Sequence, residues 1–322
     1  MGTPEFAVET LKALVENDYN VVAVVTQPDK PVGRHQTEMQ PSEVKKYALA
    51  HDLPVLQPEK MKDPEFVEQL RSYNANLQVV VAFRMLPEVV WAMPEYGTFN
   101  VHAALLPQYR GAAPINWAVI NGETQTGVTT FFLDHDIDTG RIILKKTFDI
   151  PDEADVEYVY DGLMHLGAEI CLETLEAIIA ADGHPATIAQ EDSQLSTIHY
   201  QLSTSEALKP APKIFKETCE IDWKKTAKQV YDFVRGLSPY PGAWTTLVAP
   251  DGKETVLKIY KTRKTGKPGK GVGTITIEGK ALCVSAADEQ LEIVELQLAG
   301  KKRMMARDFL NGMKQIEDYR VK

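Results

Sequence analysis

The chain has 322 residues, 44% of them apolar and 25% charged, enough for a large and a smaller globular domain and unlike a disordered or fibrous chain. No run of 18 or more apolar residues occurs, so no membrane-spanning helix is expected; Cys171, Cys219 and Cys283 are scattered, without disulfide or metal-ligand spacing. The formal charge of −10 is uneven, with 13 basic against 30 acidic residues in 1–205 and 22 against 15 in 206–322, so a polyanionic partner would lean on the second part. Mutual attraction between the two parts is the plainer reading of the same asymmetry.

In chain order, the opening Gly2-Thr3-Pro4 reads as a strand-to-helix turn with helix N-terminal amides open to a polar ligand. Pro4 and Glu5 break any secretory pattern, and with reduced cysteines the chain reads as cytoplasmic. An amphipathic helix is expected over 5–16 and a buried strand over 21–26 (VVAVVT). A doubly wound unit normally places a strand before its first helix, and here the helix comes first. The loop 27–41 leads to a helix at 42–51, a strand at 54–58, a helix at 64–73 and a strand at 77–83. Near-continuous valine runs bounded by turns fit a mostly parallel sheet covered by helices on both faces. Strands follow at 98–103, 127–134 and 141–150, the last pair antiparallel, with a helix at 114–120 between the first two.

A helix over 156–180 ends the first domain, assigned to 1–182, and the polar stretch 183–205 reads as a linker. The second domain, 206–322, opens with a helix at 223–235. Short strands then follow at 245–249, 254–262, 271–279, 280–286 and 291–300, a spacing that suits a small open barrel. The tail KKRMMARDFLNG is expected to form a final helix stopping near Gly312.

The stretch NVHAALLPQYRGAAP, 100–114, carries the chemistry. In a strand Asn100 and His102 share a face, because side-chain direction repeats every two residues. They reach one volume beyond the strand's carboxyl end, where open α/β sheets bind ligands. An amide donor beside an imidazole suits a carbonyl that becomes an oxyanion while a proton moves. The segment DHDIDTGRI, 134–142, adds carboxylates able to orient the imidazole, and spacing does not separate Asp134, Asp136 and Asp138. A metal site there has only weak support. Ala103 and Ala104 stand where a nucleophile would be sought, which disfavours covalent catalysis and favours direct transfer between two bound substrates. No GxGxxG supports a nicotinamide dehydrogenase.

Five segments carry a resemblance: GTPEFAV (2–8), TQPDKPVGR (26–34), FNVHAALLPQYRGAAPINWAVINGE (99–123), DIDTG (136–140) and LQLAGKKRMMARDFLNG (296–312). With them the chain resembles the folate-dependent formyltransferases, in particular those whose acceptor is methionyl-tRNA. The resemblance implies a Rossmann-like catalytic domain joined to a smaller OB-like open β-barrel that helps hold tRNA. It implies transfer of formyl from 10-formyltetrahydrofolate to initiator methionyl-tRNA, with no metal, by a monomer. Carried over by motif, Asn100 and His102 stabilise the formyl oxygen, while Asp138 orients and charges His102. Ala104, Leu105, Leu106 and Pro107 would contact the folate; Met85, Leu86 and Pro87, with Asp134, His135 and Asp136, would wall the pterin pocket. Arg34, in the loop 31–40, and Lys301, Lys302 and Arg303 would contact tRNA. Two departures stand out: Ala104 replaces the usual small hydroxyl residue, and GRHQTEMQP is poorer in Gly and Lys than the family's loop. A small amine, such as a glycinamide nucleotide or an amino sugar, is the alternative acceptor.

Overall fold

The computed structural model describes residues 1–32, 38–193, 207–313 and 315–322. The first elements are α1 (Glu5–Glu16), β1 (Val24–Val25), β2 (Lys30–Val32), β3 (Glu38–Gln40), α2 (Glu43–Ala50), β4 (Val55–Leu56) and α3 (Pro64–Ser72). Then come β5 (Gln78–Val81), α4 (Glu88–Trp91), β6 (Thr98–His102), α5 (Pro114–Ile120), β7 (Gln125–Phe132), β8 (Ile142–Asp149), α6 (Val156–Ala180) and α7 (Gln190–Ser193). The remainder holds α8 (Ala227–Gly236), β9 (Ala243–Val248), β10 (Glu254–Pro268), β11 (Ile275–Glu278), β12 (Ala281–Ser285), β13 (Glu289–Leu298), β14 (Met304–Met305), α9 (Ala306–Gly312) and β15 (Arg320–Val321). These divide into two compact units. One is Met1–Gly111, Gln125–Asp149 and Tyr160–Pro210; the other is Ala112–Thr124, Ile150–Val159 and Ala211–Lys322.

In the first unit β5, β6, β7 and β8 form a sheet in that order, with β5 and β6 parallel and the two later pairs antiparallel. β1 and β4 pair in parallel apart from it. The helices start where capping chemistry places them. Ser42 accepts from the Lys45 amide ahead of α2, and Asp63 from the Glu65 amide ahead of α3, whose first residue is Pro64. α1 turns Phe6, Ala7, Thr10 and Leu11 inward, one stripe at helical spacing. From Tyr160 onward α6 meets the sheet: Thr174 shares a 2.8 Å hydrogen bond with Thr130, and Lys146 of β8 reaches Glu169 and Glu173 at 2.7 and 2.6 Å.

The strand expected over 21–26 is shorter in the structure. Only Val24 and Val25 pair in a ladder. Val21 and Val22 instead line a cavity of about 760 Å³, together with Leu14, Leu77, Leu175 and Ile178. Met1 and Gly2 run as extended backbone at its edge. The Gly2 amide donates to Val25 at 3.0 Å, the Met1 ammonium to Val79 at 2.7 Å, and Val81 donates to Met1 at 2.9 Å. Without a continuous ladder neighbour, Val21 to Ala23 have apolar character but no cross-strand partner among the described residues, and the pattern in the sequence cannot register that.

The second unit is a curled antiparallel sheet in the order β11, β12, β13, β10, β9, β15. Val321 donates to Gly273 at 3.0 Å and Thr274 bridges Arg320, so both ends of the strand series meet. Leu237, Ile259, Leu291, Ile293 and Leu296 are fully buried in its core. α8 starts four residues later than expected. Thr226 and Gln229 form a reciprocal capping box there, while Trp223 stays in the core with its indole N–H on Thr245 at 3.0 Å. The final helix also starts late: Met304 and Met305 pair with Leu296 and Glu295 of β13, so the basic run ahead of them is a turn and only 306–312 is helical.

Candidate active site

β6 carries Asn100 and His102 on one face, and the chain turns immediately beyond it. Tyr109 takes a left-handed conformation, φ 60°, and its carbonyl lies 3.0 Å from His102 Nε2. A carbonyl only accepts, so Nε2 carries a hydrogen and Nδ1 is the nitrogen turned toward the carboxylate. His102 is 6% exposed, and its Nδ1 lies 3.9 Å from Asp138 Oδ2. The same carboxylate oxygen accepts the Gly111 amide at 2.9 Å, which ties the QYRG turn to the turn after β7. Asp138 also has positive φ, 55°; two non-glycine residues held in this sparsely populated region face one imidazole.

The structure separates the three carboxylates that spacing left equivalent. Asp134 holds its own turn, accepting the Asp136 amide at 3.2 Å and the Thr139 hydroxyl at 2.7 Å. Asp136 is exposed, and Asp138 alone of the three lies beside His102. Asn100 Oδ1 is buried with no hydrogen-bond partner among the described groups. Buried amides are normally satisfied, so an unpartnered one on the face of His102 marks a position that a bound group completes.

The ALLP segment is held by Thr129 of β7, opposite His102 in register. Its hydroxyl donates to the Ala104 carbonyl at 2.7 Å and accepts the Leu106 amide at 3.1 Å. Ala104 is fully buried, so the hydrogen bonds fixing this corner come from Thr129 and the backbone, with no hydroxyl on residue 104. Leu106 packs with Phe131 and Ile142, Leu105 is half-buried and Pro107 buried. Met85 is 70% exposed and Ile137 58%, large apolar side chains at the surface, while Leu86 is buried and Pro87 half-buried. His135 is exposed, edge-on to Trp91 at 5.4 Å, its Nδ1 3.9 Å from Glu88.

The basic residues are placed unevenly. Arg34 lies outside the described residues, between the paired strands β2 and β3. In the second unit Lys301 and Lys302 are exposed on the turn after β13. Arg303 is engaged: its guanidinium forks onto Glu295 with two 2.7 Å bonds and stacks over Tyr260 at 4.1 Å. No group of three or more metal-ligating side chains occurs among the described residues. None of their helices is long and apolar enough to cross a membrane. Sequence reasoning missed Thr129, the Tyr109 carbonyl and Gln190. The first reads as one β-former among several, the second is backbone, and the third falls in a stretch read as linker.

The family pattern described as "Formyl transferase" matches residues 1–175, and "Formyl transferase, C-terminal domain" matches 213–314. A Parabacteroides distasonis protein named methionyl-tRNA formyltransferase is 58% identical, over 100% of this chain and 97% of its own length. Among solved structures, the sugar 3N-formyl transferase WlaRD, crystallised with dTDP and 5-N-formyl-THF, is 17% identical with a TM-score of 0.60, covering 94% of this chain and 97% of that one. HypX from Aquifex aeolicus, in complex with tetrahydrofolic acid, is 20% identical with a TM-score of 0.53, covering 83% of this chain and 43% of that longer one. At such identities the two structural likenesses concern the fold alone.

Proposed function

Because this chain belongs to the formyl transferase family, we propose that it moves a formyl group from 10-formyltetrahydrofolate to the amino group of initiator methionyl-tRNA. The observation that carries the chemistry is the facing pair, His102 Nδ1 and Asp138 Oδ2 at 3.9 Å, on the strand face that also bears Asn100. With the imidazole neutral, Nδ1 and Asp138 Oδ2, 3.9 Å apart, both accept, and the neutral amine that attacks supplies the proton that joins them.

The donor brings a formyl group on nitrogen, activated for displacement. Asn100 directs its amide N–H at the formyl oxygen and offsets the charge that develops there, which leaves its unpartnered Oδ1 to accept from a bound donor. His102 and Asp138 take the proton that the amine releases on attack, and the proton passes to the departing folate nitrogen as the carbon–nitrogen bond breaks. The Tyr109 carbonyl and Gly111 amide hold these two groups still throughout. Placing both substrates on one rigid strand end supplies the proximity contribution. No side chain of this set is required to bond to the formyl carbon.

The folate fits what is here. Asn100 supplies an unpartnered acceptor, the Thr129-clamped 104–107 corner supplies fixed backbone, and Met85 and Ile137 supply exposed apolar surface. Residues 1–182 supply the catalytic groups, with Ile188 and Gln190 of the following stretch packed into the same unit, and 206–322 act as the part that leans on tRNA through Lys301 and Lys302. Acting on tRNA, the protein works in the cytoplasm. The test offers the purified protein one labelled formyl donor with initiator methionyl-tRNA, a glycinamide nucleotide and a nucleotide-linked amino sugar in parallel. Formylated methionyl-tRNA is expected to dominate the products; preferential formylation of either small amine would replace this reading with the other acceptor.

A further inference from the structure

Gln190 is a positioning residue for the transfer step: we propose that its carboxamide fixes the backbone of the Asp138 turn, so that the Asp138 carboxylate stays aimed at His102. The proposal rests on the role given above to Asp138. Gln190 is 1% exposed. Its Nε2 donates to the carbonyl of Asp138 at 2.8 Å and to that of Gly140 at 2.9 Å. Its Oε1 accepts from Arg110 Nε at 3.0 Å and Nη2 at 2.5 Å. One side chain therefore ties the turn after β7, which supplies Asp138, to the turn after β6, which follows His102.

Each end of this brace is independently anchored. Ile188 exchanges two backbone hydrogen bonds with Ile142, at 2.8 and 2.9 Å, and Arg141 donates to the Thr187 hydroxyl and carbonyl at 2.8 and 2.9 Å. Gln190 is thus carried on backbone pinned to the start of β8. The turn it holds is tight: a Cβ on Gly140 would meet the Phe132 carbonyl oxygen at 1.7 Å. Asp138 itself stands at φ 55°, a conformation that non-glycine residues keep only when the surroundings over-determine it. The two carbonyls gripped by Gln190 bracket the backbone torsions of Thr139 and Gly140, and the first of them fixes the peptide plane that sets the ψ of Asp138. Releasing them frees the turn to relax and swings the carboxylate from the imidazole.

The test is a double-mutant cycle between Gln190→Ala and Asp138→Asn, read as kcat and KM of formyl transfer. Q190A is expected to lower kcat by about 10- to 100-fold, as misplacement of a reacting group by an ångström does, with KM for both substrates unchanged. In the D138N background the same change should cost little more, because there is no carboxylate left to aim. Full multiplication of the two losses overturns the proposal, since a general structural weakness would act in either background. Gln190→Glu is the second variant. A carboxylate pairs with Arg110 more strongly and cannot donate to the carbonyls, so Q190E should be as impaired as Q190A; wild-type kcat in Q190E overturns the proposal. Where Q190A does not fold, judged by near-ultraviolet circular dichroism, Q190E and Arg110→Met carry the comparison. R110M keeps both carbonyl bonds and should lose less kcat than Q190E; an equal or larger loss contradicts the proposal. Wild-type activity in D138N alone would instead remove the role of Asp138, a failure distinguishable from that of Gln190.

Discussion

Asp138→Asn isolates charge from shape. The amide is isosteric, and its oxygen can still accept the Gly111 amide now held at 2.9 Å, so the turn keeps its hydrogen bond. What is lost is a negative charge 3.9 Å from the imidazole that, in the proposed mechanism, takes up a proton as the amine attacks. Two unit charges at that separation attract by about 4 kcal/mol at an effective dielectric constant of about 20. Both side chains are largely buried, at 6% and 13% exposure, so solvent screens the pair little. Applied to the barrier, this is about a thousandfold in rate. Single-turnover transfer of radiolabelled formyl to methionyl-tRNA, with tRNA affinity measured alongside, should show kcat/KM down by about 10³-fold and binding unchanged. A loss smaller than about tenfold would refute the proton-acceptor role, because no geometry that keeps the pair at this distance makes its charge so inconsequential.

Two further outcomes follow from other parts of the molecule. Burial pushes the Cys171 thiol up from 9.0 to about 12, with the Met1 ammonium pulling modestly the other way. The unfolded thiol ionises first, so the stability it contributes is fully present below pH 9 and is lost as pH rises from 9 to 12. Between pH 8 and 10 the loss should be about 1.4 kcal/mol in urea unfolding; Cys171→Ala should flatten that slope, and an unchanged slope would place the effect on other groups. Replacing Lys301 and Lys302 with Gln should weaken tRNA binding and reduce the dependence of log K on log salt by about 1 for each phosphate no longer neutralised, and an unchanged slope would put the basic footprint elsewhere on the chain.

Much of this was legible in the sequence, for identifiable reasons. Asn100 and His102 stood out through the two-residue period of a strand, and α1 through its amphipathic stripe. Asp138 did not stand out from Asp134 and Asp136 by spacing, since its distinction is a left-handed backbone and a largely buried carboxylate that exist only once two turns meet. Gln190 stayed invisible because a polar residue in a polar stretch has no period to reveal its burial. Val21 to Ala23 read as strand because residue type reports a preference for burial, and ladder pairing depends on a neighbour far away in sequence. Met304 and Met305 read as helix for the same reason, their strand partners lying in β13. Arg303 was expected to contact tRNA with its neighbours, and only the fold reveals the Glu295 fork that engages it.

The central claim is that Asn100, His102 and Asp138 form a formyl-transfer centre, and His102→Ala tests it most directly. The wild-type protein should place labelled formyl on the methionyl amine of initiator tRNA. The variant should lose that transfer by at least about a hundredfold, the usual contribution of a positioned acid–base group, while binding the tRNA with wild-type affinity. Undiminished transfer, or an equal loss of tRNA affinity and transfer, would contradict the account.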